Sequence, residues 1–178
     1  MTAGRQRFNI YLLLALALAI AGGCRTAERK RRQQASTLRL HLEARPDGTV
    51  RNEVVQVFRG QPMSIGVEKV PFLTEGNVKE ASVVDAVGGF ALRIQFDHQG
   101  ALLLEQYSTL NRGKRVAVFS QFGEKLSTNR WLAAPLISRR ITDGQFLFTP
   151  DATREEADQI ALGLNNVARK VQDKPPSW

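Results

Sequence analysis

The sequence predicts an α+β domain, a two-layer sandwich in which an antiparallel or mixed sheet is covered on one face by two main helices. Three observations carry this. Apolar and polar residues alternate in several short runs, the period-2 mark of a strand with one buried face. The stretch TREEADQIALGLNNVARKV opens on a capping box and repeats its apolar residues at helical spacing. Gly88-Gly89 and Asp143-Gly144 separate strand-like runs as tight turns do. Strands outnumber helices, and two layers let sheet and helices bury one another.

In chain order, Leu38, Leu40 and Leu42 alternate with Arg39, His41 and Glu43, which predicts a strand. A turn at Pro46-Asp47-Gly48 leads to a second strand through NEVVQVF, and MSIGVEKV predicts a third. Pro71 interrupts it, and Thr74 can cap a short helix. SVVDAV and FALRIQF predict a hairpin about the glycine pair, with Phe90, Leu92, Ile94 and Phe96 on one face. Asp97 opens a helix through Leu102, Leu103, Tyr107 and Leu110 that ends near Gly113. KRVAVF is a strand, followed by a polar loop around residues 121–130 and an extended RWLAAPLI whose Pro135 belongs at an edge or bulge. QFLF is a short strand. The last helix starts at Thr153, with Glu156 completing the capping box, and Ala157, Ile160, Ala161, Leu164, Val167, Ala168 and Val171 fall on one 3.6-period face.

The N-terminal part reads differently. Arg5 and Arg7 precede twelve unbroken apolar residues, Ile10 to Ala21, and then Ala21-Gly22-Gly23-Cys24. Twelve is too short for a membrane-spanning helix, which needs about 20, and matches a signal-peptide core. Small residues before a lone cysteine resemble the lipobox of bacterial lipoproteins. That resemblance implies cleavage before Cys24, acylation of its sulfur and anchoring to the membrane through lipid. Two alternatives stay open: an ordinary secretory signal with a chance cysteine, and an uncleaved signal anchor facing the cytoplasm, which the basic tract after the apolar run would favour. The expected organisation is a signal peptide at 1–23, a lipidated cysteine and basic flexible tether at 24–36, one domain at 37–172 and a loose tail at 173–178.

Charge is distributed to match. The formal net charge is +8, but after the leader and the tether are set aside the body holds 18 basic and 16 acidic residues. A nucleic-acid binder needs a basic face on the folded domain, so none is expected as partner. The single cysteine excludes an internal disulfide and a CxxC zinc site. His41 and His98 have no partner at metal spacing, and both read as surface histidines. Asp151, Glu155, Glu156 and Asp158 crowd a helix start, where the helix dipole already accounts for them. No GxSxG elbow or phosphate loop is present. The expectation is a non-enzyme without cofactor or metal, and Trp131 and Tyr107 are the candidate partner-binding aromatics.

Residues 71–164 carry a further likeness. PFLTEGNVKEA, the strand–helix–strand stretch LRIQFDHQGALLLEQYSTLNRGKRVAVF, AAPLISRRITDG and TREEADQIALGL occur in this order. In that order they resemble the head part of the large first periplasmic domain of SecD, a subunit of the SecDF protein-export machinery. Leu73, Thr74, Gly100, Thr109, Asn111, Gly113, Pro135 and Gly144 are among the matching positions. The chain departs where Ser120 and Gln121 replace an acid and a glycine common in the family, and where LNNVARKVQDKPPSW replaces a Gly-Ala-Leu-Pro-Ala-Pro segment. No residue role is carried over. The resemblance implies an α+β head that touches a protein partner, such as export machinery or an exported polypeptide, on the periplasmic side of the envelope. A small-ligand or cell-wall-binding module reusing the fold is the alternative. A deep pocket with convergent polar groups would favour that alternative, and a flat or grooved apolar patch would favour protein binding.

Overall fold

A computed structural model describes residues 28, 31–45, 48 and 50–173 of the chain. Cys24, the apolar run before it, Pro46, Asp47 and the tail from 174 onward lie outside the described residues. The chain forms two compact units, residues 1–33 and 34–178. In the first, Glu28 and residues 31–33 are helical, and Arg32 reaches back one turn to the Glu28 carboxylate at 2.5 Å. Among the described residues no helix is long and apolar enough to cross a membrane.

The second unit has nine strands and two α-helices among its described residues. They are β1 (Arg39–Leu42), β2 (Asn52–Val57), β3 (Met63–Glu68), β4 (Leu73–Thr74), β5 (Val78–Ala86), β6 (Gly89–Phe96), α1 (His98–Leu110), β7 (Val116–Phe122), β8 (Thr128–Ala133), β9 (Gln145–Phe148) and α2 (Arg154–Gln172). All pairings are antiparallel, in the α+β class the sequence predicts. The strands divide among three sheets, β4-β1-β7-β8, β2-β3 and β5-β6-β9. The strands flanking residues 46–48 therefore do not pair with each other: β1 pairs with β4 and β7, and β2 with β3.

Burial explains the division. The four-stranded sheet is covered on both faces. Leu40, Leu42, Val116, Val118 and Leu132 enter the main core with both helices and the β5-β6-β9 sheet. The opposite face presents Ala117 and Ala134, against which the hairpin lays Val55, Val57, Ile65 and Val67. Fully burying a leucine or valine stabilises by about 1.5–3 kcal/mol, so the hairpin has a strong reason to pack here. His41 shares this second face. It is 5% exposed, its Nδ1 lies 2.8 Å from the Glu68 carbonyl, and its ring meets Trp131 edge-on at 5.1 Å. The surface position expected for His41 is corrected: β1 has two buried faces, and a polar residue in its alternation does not mark solvent. His98 is exposed as expected.

The helices form where their caps predict. Asp97 Oδ1 accepts from Gly100 N at 2.7 Å, a cap worth about 1 kcal/mol. The buried side of α1 is Gly100, Leu104 and Ser108, while Leu102 and Leu110 are 54% and 73% exposed. The helix sits close: a Cβ on Gly100 would come within 2.9 Å of Asn77 Cβ, so Gly100 and Ser108 face inward beside Leu104, while Leu102 and Leu110 turn out. At Thr74 only one 3₁₀ turn, Glu75–Asn77, interrupts the strands. The polar loop expected at 121–130 is shorter than that, because β7 runs to Phe122 and β8 begins at Thr128. Asn165 on α2 closes the β5 edge as a neighbouring strand would, its amide giving and taking hydrogen bonds with Ala81 at 2.8 Å each.

The chain entering the unit is strapped across α2. The Asn166 amide donates to the Gln34 carbonyl at 2.9 Å, and Ser36 is buried. Gly163 makes the crossing possible: a Cβ there would sit 2.6 Å from Ser36 N and 2.7 Å from Ala35 C, both backbone atoms. Val167 is half-buried and Val171 exposed, whereas Gly163 and Asn166 are buried, so α2's inner face is wider than its apolar stripe. Gly163→Ala is therefore expected to destabilise by about 1–3 kcal/mol through overpacking, measured by denaturant unfolding. Gly113→Ala, with open space around its Cβ but a positive φ of 83°, serves as the contrast in which strain and not crowding acts.

Candidate functional site

An open, mostly apolar groove of about 360 Å³ runs between the β2–β3 turn and β8. Phe58, Pro62 and Trp131 supply its apolar surface, Gln56 and Asn129 its polar edge, and Arg59, Arg130 and Asp151 one end. Each wall has a local cause. β8 is an edge strand of its sheet, so one side faces outward. A bulge between Val118 and Phe119 shifts the register, pairing Phe119 with Trp131 on the hairpin-facing side. Trp131 is then held between His41 and Phe119, both with ring centroids at 5.1 Å, and stays half-buried.

The opposite wall is strained. Phe58 adopts φ 68°, a left-handed conformation that costs a residue with a side chain roughly 1–3 kcal/mol. It is 37% exposed. What holds it is the next residue: Arg59 N donates to Asp151 Oδ2 at 2.8 Å, and the Arg59 guanidinium reaches the same carboxylate at 3.2 Å. Asp151 in turn precedes α2. Its carbonyl accepts from Arg130 Nη1 at 3.1 Å, and Arg130 grips Glu156 with two bonds of 2.7 and 3.0 Å. Glu156 also accepts from Thr153 N at 2.9 Å, closing the capping box. The glutamate that starts α2 is thus the one that ties the helix to β8.

Charge follows this wiring. Arg130 beside it, outweighing a desolvation that acts the other way, holds the Glu156 carboxyl below its ordinary 4.5. At Asp151 burial opposes ionisation most strongly, yet its bonds from Arg59 together keep it below 3.8. Asp151 and Glu156 are engaged as structural anions. Desolvation holds His41 below the 6.5 of a free imidazole, against the pull of the Glu68 carbonyl. Among the described residues no group of three His, Cys, Asp or Glu is placed to hold a metal ion.

Of the aromatic residues singled out in the sequence, Trp131 lines the groove and Tyr107 does not. Tyr107 stacks on Phe72 at 4.3 Å, away from the groove, and is half-buried. Phe58, Arg59 and Pro62 escaped the sequence reading. The available signal was VFRGQP, where an aromatic breaks the alternation of β2 at a turn.

Two solved structures share this architecture. One, described as a membrane component SecDF that enhances protein export, superposes with a TM-score of 0.55 at 20% identity, over 80% of this chain and 67% of that one. The other, SecDF in a super-membrane-facing form, gives 0.54 at 21% identity, over 77% of this chain and 20% of that one. The fold class is therefore that of an α+β head of the SecDF kind. The sequence takes the assignment further: residues 52–168 match the family SecDF, P1 head subdomain, and the chain belongs to that family. The match begins at β2, so it includes the groove-forming hairpin ahead of the stretch recognised by motif. A curated relative, the protein translocase subunit SecDF of Thermus thermophilus, is 32% identical over 97 residues, which is 54% of this chain and 12% of that protein. The chain spans only a small part of that relative.

The pKa directions give a pH profile. His41 binds its proton less readily folded than unfolded, so its contribution is complete above about 6.5 and is lost as pH falls through its lower folded value. Asp151 and Glu156 contribute above their ordinary 3.8 and 4.5 and lose that contribution as pH falls through still lower folded values. Unfolding measured between neutral and acidic pH should show two losses of stability, and His41→Phe should flatten only the upper one. A profile unchanged by His41→Phe would refute the assignment.

Proposed function

We propose that this chain is a non-enzymatic envelope lipoprotein whose head module docks a polypeptide partner of the protein-export process. The observation that carries the reading is the open groove between Phe58 and Trp131 on a member of the SecDF P1 head family. An apolar floor with an amide edge at Gln56 and Asn129 suits an extended chain, which offers both apolar side chains and backbone groups. A small ligand is better served by an enclosed pocket with convergent polar groups, and the acids nearest the groove are already consumed by Arg59 and Arg130. That weighs against the small-ligand alternative and against acid–base chemistry.

The placement rests on the sequence at Cys24. Acylation there would hold the head at the outer, periplasmic side of the membrane, with the basic stretch as tether. In that position the head acts on the same face as exported chains.

A photoreactive amino acid at position 58 in living cells tests the docking. It should form reproducible adducts with a polypeptide, while the same group at Val87, on the β5–β6 turn, should not. Equal labelling at both sites, or none at 58, would contradict it. For the anchor, intact mass and fractionation decide. Wild type should carry a fatty-acylated N-terminal Cys24 and sediment with membranes, and Cys24→Ser should lose acylation and processing. A wild-type chain that keeps its leader and faces the cytoplasm would contradict the placement.

A further inference from the structure

Away from the groove, one end of the body gathers cations around exposed aliphatic side chains. α1 ends in Leu110, which is 73% exposed, and the chain continues through exposed Arg112 and Lys114. The loop after β8 is stitched alongside: Gly113 N donates to the Ile137 carbonyl and Ile137 N to the Lys114 carbonyl, both at 2.9 Å. This sets Leu136, 53% exposed, and exposed Arg139 beside them. Ile141 N donates to Ser108 Oγ at 2.9 Å, which fixes the far side of the same loop on α1. Phe72, in the loop between β3 and β4, also stacks on Tyr107 of α1. Among the described residues no carboxylate pairs with Arg112, Lys114 or Arg139, and the nearby Glu105 is engaged by Arg140.

A helix C-terminus favours cations, and that alone would account for Arg112 and Lys114. It does not account for Arg139 on a separate loop, nor for leucines left in water between the charges. Cations ringing protruding aliphatic side chains fit a surface that is anionic at its face and apolar just beneath. We infer that this end of the body is a docking surface for anionic phospholipid, with Leu110 and Leu136 entering the acyl boundary while Arg112, Lys114 and Arg139 meet the phosphates. The charge complementarity selects a bilayer over an apolar protein partner, which would leave three cations facing no counter-charge. The inference deepens the envelope placement proposed above by giving the head a second contact with the membrane. It does not depend on acylation of Cys24.

The test uses the full chain with Cys24→Ser and a single new thiol, Leu110→Cys, carrying an environment-sensitive dye. It is mixed with vesicles of phosphatidylcholine alone, or with phosphatidylglycerol added, each doped with a brominated lipid quencher. The dye should be quenched and blue-shifted only on the anionic vesicles, and a dye at Leu136→Cys should behave alike. A dye at Val87→Cys, beside the Asp85–Arg154 pair at the start of α2, should stay in water. Combining Arg112→Gln, Lys114→Gln and Arg139→Gln should raise the anionic lipid needed by on the order of a hundredfold, about fivefold per cation. Equal quenching on both vesicle types would overturn the inference, since the apolar leader alone would then explain it. So would a dye that stays exposed on both but is protected by polyglutamate, which would mark an acidic protein surface. Because neither Cys24 nor location in the cell enters this assay, its failure leaves the envelope placement to stand or fall on the mass of the mature N-terminus.

Discussion

Arg130 is the residue on which the geometry of the groove depends. It reaches from the edge strand β8 to the first turn of α2 and makes two bonds to Glu156 and one to the Asp151 carbonyl. Its side chain is only 14% exposed, so these bonds are shielded from the screening that makes surface pairs weak. Through Asp151 the same junction captures Arg59 and fixes the strained Phe58 backbone. Helix start, sheet edge and hairpin turn therefore meet at one set of charges. Removing Arg130 would leave a partly buried carboxylate unpaired, a loss of about 1–3 kcal/mol, and would free the wall that carries Phe58.

The second constraint is the double burial of the β4-β1-β7-β8 sheet. One face belongs to the main core and the other to the β2–β3 hairpin. Trp131 stands where the hairpin's cover ends, which is why it is half-buried and not fully packed. The groove is the gap left when a small two-stranded sheet covers a wider one.

Much of this was legible in the sequence, and for identifiable reasons. Local signals were reliable: Asp97 and Thr153 cap the helices they were expected to cap, and the expected β5–β6 hairpin forms, its turn one residue earlier than the glycine pair, at Val87-Gly88, with Gly89 already paired to Ala86. Alternation gave the strands but not their partners, because it records that a face is buried without saying by what. His41 shows the gap: its place in a polar row suggested solvent, and only the packing of a hairpin from further along the chain puts it in the interior. In α1 the apolar residues are split: Leu103 and Tyr107 pack against the core, whereas Leu102 and Leu110 face out and the close approach selects Gly100 and Ser108 beside Leu104. At the groove, Trp131 was visible as an aromatic, whereas Arg59 and Asp151 meet across 92 positions and neither is unusual locally.

The most direct measurement of the central claim is native-state hydrogen exchange on wild type and Arg130→Ala. If one guanidinium joins the groove's walls, protection should fall selectively in the β2–β3 hairpin and the start of α2, while β1 and β7 keep theirs. Unchanged protection in the hairpin, or an equal loss throughout the domain, would contradict it.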